Sequence, residues 1–112
     1  MELAIDDGGS VAVARLSGRL DTDGVGRIEL AFTARVVPES RPVLVDLTGL
    51  DFIASLGVRL LITTARSRAR RGAALVMYGA GEAVTDIITT MGLDEIIPLL
   101  PDENAARAAV NG

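Results

Sequence analysis

The hydroxyl of Ser55 stands where an apolar run closing on Phe52 and Ile53 gives way, from Val58 onward, to residues with helical spacing. A hydroxyl at the positive end of a helix has two uses. On composition alone its default use is as an N-cap that accepts a backbone N–H, worth about 1 kcal/mol. The Glu or Gln that would complete a capping box three residues on is replaced by Val58. The second use is as a phosphate acceptor. Unpaired N–H groups and the helix dipole tolerate a group carrying about −1.5 to −2 charges. Such a turn takes phosphate without unfolding and presents the new charge to any docked partner, with Leu56 as an apolar contact beside it.

Other groups compete for a chemical role and fall short. Asp6, Asp7 and Asp46 have the composition of an acidic, Mg²⁺-binding phosphoacceptor pocket. That pocket would be expected to supply a Lys to the phosphoryl group, and the chain has no Lys, so Asp6 and Asp7 read as turn residues. The segment GAGEAV, Gly79 to Val84, sits where a dinucleotide fingerprint would lie, but its sixth position is Val84 in place of Gly or Ala. Arg66, Arg68, Arg70 and Arg71 cluster near the end of a predicted helix, where cations complement the negative dipole end.

The missing residues exclude more than the present ones suggest. There is no His, Cys, Trp or Lys, and all eleven cations are Arg. Arg stays protonated and cannot act as a base, so proton transfer has only carboxylates and Tyr78 to draw on. Ser-His-Asp and Cys-His arrangements are impossible. Zinc loses its usual ligands. No catalytic residue, metal site or cofactor is expected, and the chain reads as a binding module rather than an enzyme.

The 112 residues form one expected domain, 1–112, able to bury roughly 65% of the surface of the unfolded chain. The absence of Cys excludes a disulfide framework, and the acidic start MELAIDDGGS lacks the pattern of a signal peptide. Every apolar run is shorter than the roughly 18 residues that cross a bilayer. A cytoplasmic location without membrane insertion is therefore expected. The net charge of −4 argues against a nucleic-acid partner.

The elements that must hold Ser55 follow from periodicity. Residues 2–5 and 11–16 alternate around Asp6, Asp7, Gly8 and Gly9, which predicts a β-hairpin. Asp21 and Asp23 supply a helix start, and Val25, Ile28, Phe32 and Val36 its apolar stripe, ending near Pro38. Residues 43–47 predict a strand buried on both faces. Val58, Leu61, Ile62, Ala65 and Ala69 predict the inner face of a helix stopped at Gly72, with Arg59, Thr63, Arg66 and Arg70 outside. A strand over 74–78, a helix over 82–91, a short edge strand at Ile96 and Ile97, and a last helix over 102–110 complete the order ββαβαβα(β)α. The fold class is α/β: a mixed sheet of four to five strands packed with about four helices.

Four segments together resemble the STAS domain, specifically the bacterial anti-sigma factor antagonists. They are SGRLD (Ser17 to Asp21), VLVDLTGLDFIAS (Val43 to Ser55), RRGAALVMYG (Arg70 to Gly79) and MGLDEIIPL (Met91 to Leu99). The resemblance implies partner switching. The antagonist binds an anti-sigma factor that is also a serine kinase of the GHKL ATPase type, is released when phosphorylated, and is restored by a PP2C-type phosphatase. In the family pattern the phosphorylated Ser follows Asp directly. Ser55 matches it, and Asp21 matches an acidic position on the neighbouring loop. Ala54 stands where the family has Asp, and Leu56 where it has a second Ser or Thr. The expected partner-binding surface comprises Asp21, Asp23, Ala54, Ser55, Leu56, Gly57 and Arg59.

The missing Asp at position 54 motivates a second reading. In it the chain is a non-phosphorylated STAS adaptor, such as a subunit of a lipid-transport ABC system, and Ser55 is only a cap.

Overall fold

Alternation within two short segments starts the sheet, as β1 (Glu2–Asp6) and β2 (Ala12–Leu20) pair antiparallel. In the computed structural model, which describes residues 1–111, there follow α1 (Thr22–Val36), β3 (Val43–Ile53), α2 (Ser55–Arg70), β4 (Leu75–Tyr78), α3 (Glu82–Thr90), β5 (Leu99–Leu100) and α4 (Glu103–Asn111). The strands lie in the order β1-β2-β3-β4-β5, and β2 to β5 run parallel. Each parallel step uses a helix to return the chain. Among the described residues, no helix is long and apolar enough to cross a membrane.

The two-residue period of the strands divides the core. Ala12, Ala14 and Leu16 of β2, Val43, Val45 and Leu47 of β3, and Leu75 and Met77 of β4 pack with Ile28 and Phe32 of α1, Leu61 of α2 and Ile88 of α3. The opposite parity, Val13, Leu44, Val76 and Tyr78, meets Ala106 and Val110 of α4. Three helices thus cover one face and α4 alone the other. The near-continuous apolar run of β3 is explained, since Val43 to Val45 are buried whichever way they point.

Three local expectations are corrected. The edge strand is Leu99–Leu100, not Ile96 and Ile97. Gly92, at φ +73°, starts a single 3₁₀ turn over Leu93–Glu95, and Leu93 O accepts the N–H groups of both Ile96 and Ile97, so neither is free to donate to the sheet. Pro98 O then accepts the Met77 N–H at 2.9 Å and starts the pairing. β2 runs on through Gly18, at φ +101°, to Leu20, because register shifts after Arg15 and Gly18 let its end follow β3.

The third correction concerns α2. Ala69 is exposed and Arg68 is buried, so the inner seam runs through Val58, Leu60, Leu61, Thr64 and Arg68. Arg68 is 0% exposed. It does not simply decorate the helix end. Its Nη1 donates to Val36 O and Glu39 O, each at 2.7 Å, and its Nη2 to Arg41 O and Ala74 O, each at 2.8 Å. Its Nε donates to Ala74 O at 3.2 Å. All the N–H donors of the guanidinium are thereby engaged. One side chain on α2 ties down the end of α1, the loop into β3 and the loop into β4.

Candidate functional site

The β3–α2 turn is placed by backbone bonds on both sides. Ala54 N–H donates to Leu20 O at 3.0 Å, and Val58 N–H donates to Ala54 O at 3.0 Å. The first helical bond therefore closes on Ala54, whose extended backbone (φ −92°, ψ 168°) makes it the N-cap residue. Ser55 is then the first residue inside the helix, and no side chain caps α2. The expectation that Ser55 is the N-cap is thus corrected. A cap must precede the helix with an extended backbone, and strand β3 ends one residue too early for Ser55 to do so. Its hydroxyl is exposed on a helix turn whose leading N–H groups have no intrahelical acceptor.

The ends of β2 and β3 lie side by side, with Leu20 opposite Ile53 and Arg19 opposite Phe52. This register brings the β2–α1 loop against the β3–α2 turn. The Arg19 guanidinium sits 4.5 Å from the Phe52 ring centroid, and its Nε is 3.6 Å from Asp21 Oδ2. Asp21 is the N-cap of α1, its Oδ1 accepting the Gly24 N–H at 2.8 Å.

Two glycines allow the helix starts to approach β2. A Cβ on Gly57 would lie 2.8 Å from Leu20 Cγ and 2.9 Å from Leu20 O. One on Gly24 would lie 2.2 Å from Arg19 O. Neither has room for a side chain.

The structure therefore groups Asp21, Ala54, Ser55, Leu56 and Gly57 at one end of the sheet. Asp23 stands in the first turn of α1, its Oδ2 accepting from Arg27 Nε at 2.7 Å. Arg59 lies one turn along α2. Leu56, 37% exposed, and Arg59 also line a cleft of about 350 Å³ between α1 and α2, whose walls include Val25, Glu29, Leu60 and Thr63. Neither this cleft nor the Arg19–Phe52 stack is legible in the sequence. Both depend on how β2 and β3 end together, which periodicity does not report.

The Gly24 N–H is the main cause holding the Asp21 carboxyl below its ordinary value, with Arg19 adding to it. A carboxylate depressed on folding stabilises the fold above its unfolded value and loses that contribution as pH falls through its folded one. Asp21→Ala is expected to lower the urea midpoint at neutral pH and to shrink this difference below pH 4, whereas Asp21→Asn keeps the cap. Equal midpoints for the wild type and Asp21→Ala at pH 7 would contradict the cap.

The competing acidic groups are elsewhere. Arg15 stands between Asp6, at 3.5 Å, and Asp46, at 3.3 Å, while Asp7 pairs with Arg35 at 2.7 Å. Asp6 Oδ1 closes a turn by accepting the Gly8 N–H. Among the described residues, no group of three or more His, Cys, Asp or Glu could hold a metal ion. In GAGEAV a Cβ on Gly79 would lie 2.4 Å from Thr48 Oγ1, so close packing on β3 accounts for that glycine.

Comparison with known proteins adds to this geometry. The family model described as Mlab, STAS domain, matches residues 3–101. The chain is 28% identical over 109 residues to a Bordetella bronchiseptica protein named as an anti-sigma factor antagonist, BtrV, covering 97% of this chain and 94% of that one. It is 33% identical over 79 residues to the anti-sigma-F factor antagonist RsfA of Mycobacterium tuberculosis, covering 70% of this chain and 60% of the relative. The crystal structure of an anti-sigma factor antagonist from Mycobacterium paratuberculosis superposes with a TM-score of 0.87 at 28% identity, covering 99% of this chain and 94% of the other.

Proposed function

The chain belongs to the STAS domain family, and from that premise we propose that it is an anti-sigma factor antagonist switched by phosphorylation of Ser55. Two relatives are named as anti-sigma factor antagonists, which supports this reading. The observation that carries the switch is the place of Ser55: first in α2, exposed, and not engaged as a cap. Unphosphorylated, the turn docks the anti-sigma factor through Ser55, Leu56 and Arg59, with Asp21 and Asp23 on the neighbouring loop. A GHKL-type kinase site on that partner supplies ATP. Ser55 Oγ attacks the γ-phosphorus, the Oγ–P bond forms as the bond to the β-phosphate oxygen breaks, the hydroxyl proton passes to a base of the kinase, and ADP leaves. The leading N–H groups of α2 then face the phosphate, which is why the fold survives its arrival. Hydrolysis of the phosphoserine by a PP2C-type phosphatase restores the docking form.

Ala54 favours one other reading. Without a carboxylate before Ser55, the hydroxyl lacks a side chain to orient it, as suits a non-phosphorylated adaptor, for instance to the ATPase of a lipid-transport system. Incubation with the partner kinase and ATP, followed by mass spectrometry, separates the two. A phosphoryl group on Ser55, absent in Ser55→Ala, is the expected result. An unmodified chain, under conditions that label a control antagonist, sinks the switch.

A further inference from the structure

Ion pairing divides the arginines sharply. Arg15, Arg19, Arg27, Arg35, Arg41 and Arg107 each lie within 4 Å of a carboxylate. Arg68 is saturated by carbonyls, and Arg71 donates to Val37 O at 3.3 Å. Among the described residues, Arg59, Arg66 and Arg70 have no such partner, although all three are exposed and the chain holds fifteen acidic residues to eleven basic ones. Scarcity of acid does not explain them.

Their spacing puts them in a row. Positions 59, 66 and 70 fall within about 40° of one another around an α-helix and extend along about 16 Å of it. The helix dipole accounts for Arg70, in the last turn. It does not account for Arg59, which stands in the second turn, far from the negative end, on a helix with no acidic residue in its first turn. Ser55 lies on the same face, one turn before Arg59.

We propose that Arg59, Arg66 and Arg70 form a docking strip for an acidic surface of the same protein partner that binds the Ser55 turn. The partner would present carboxylates about 10 Å and then about 6 Å apart, the spacing of Asp or Glu on one helix face, each able to accept a bidentate guanidinium. Charge complementarity selects this occupant, because the strip is a single row of three cations, too few to hold a phosphate backbone by counterion release on a chain of net charge −4. A phosphoryl group on Ser55 would add its charge at the head of the strip and engage Arg59, weakening the strip where the partner's acids approach. This extension rests on the function proposed above.

Binding of the partner kinase is titrated for the wild type, for Arg59→Glu/Arg66→Glu/Arg70→Glu and for Arg107→Gln, at low and high NaCl, with circular dichroism confirming the fold of each. The expected result is a loss of about 100-fold or more in the triple variant, less than 2-fold in Arg107→Gln, and a wild-type affinity that falls with salt. A triple variant that binds like the wild type, with the wild type binding well, overturns the strip together with the docking part given to Arg59, and leaves docking through Ser55 and Leu56 standing. Equal or tighter wild-type binding to a 20-base-pair duplex, to phosphatidylglycerol vesicles or to a second copy of the chain also overturns it. If the wild type binds no such kinase, the function above fails. The strip is then decided by a helical 16-residue peptide with Glu at the same spacing, whose binding must be present in the wild type and absent in the triple variant.

Discussion

Replacing Arg68 with Met is expected to destabilise the chain by about 3–5 kcal/mol, measured as a fall in the urea midpoint followed by circular dichroism. Methionine roughly fills the volume but donates nothing, so Val36 O, Glu39 O, Arg41 O and Ala74 O lose donors inside the protein. A buried carbonyl left without a partner costs about 1–3 kcal/mol, and some of these four will be reached by water or re-paired. Against a total stability of about 5–15 kcal/mol for a domain of this kind, the loss is large. Arg68→Lys should fall between, since an ammonium keeps the charge but not the fork. Burial already pulls the Arg68 guanidinium below its ordinary pKa, so the charge itself is tolerated rather than sought, and the hydrogen bonds are what hold it. A shift below about 1 kcal/mol for Arg68→Met would show that the carbonyls find other donors.

The second large effect is on binding. Ser55→Glu is expected to weaken the complex with the anti-sigma factor by about 100-fold, equivalent to about 2.7 kcal/mol, because it sets an anion in the middle of the proposed docking turn and draws Arg59 away from the partner. Ser55→Ala should change affinity by no more than about threefold, since the hydroxyl is not a cap and its removal leaves the turn as it is. Stability separates these outcomes from misfolding. An acidic side chain in the first turn complements the helix dipole, so Ser55→Glu should be at least as stable as the wild type. Calorimetric titration of both variants is the measurement. Equal losses for Ala and Glu would mean that the hydroxyl is itself a contact, with charge playing no part.

Much of the fold is legible in the order of residues because local rules decide it. The alternation in 11–16, the doubly buried run 43–47 and the helix stop at Gly72 each follow from a period or a backbone preference that needs no distant partner. The place of Ser55 at a strand-to-helix turn belongs to the same class. What could not be read shares one cause. Arg68 is indistinguishable by sequence from Arg66 and Arg70, since its burial depends on carbonyls brought from 27 to 32 residues away. The second half of β3 and the end of β2 exist because they pair with each other, through register shifts that no period announces. Residue types alone put Ser55 one position outside its helix for the same reason. The N-cap falls to Ala54 because Leu20 fixes its N–H, and a pattern of residue types would choose the serine.

The edges of the sheet carry a further consequence. Unpaired strand edges are templates for aggregation, and this chain blunts both of its own. β5 is two residues long and lies between Pro98 and Pro101, neither of which can donate to an added strand. β1 is longer, but Glu2 and Asp6 stand at its two ends, so a second copy pairing antiparallel in register would set each acid against its opposite number. With the proposed docking surface on a helix, the strand edges are closed to other chains without giving up any contact that surface would make.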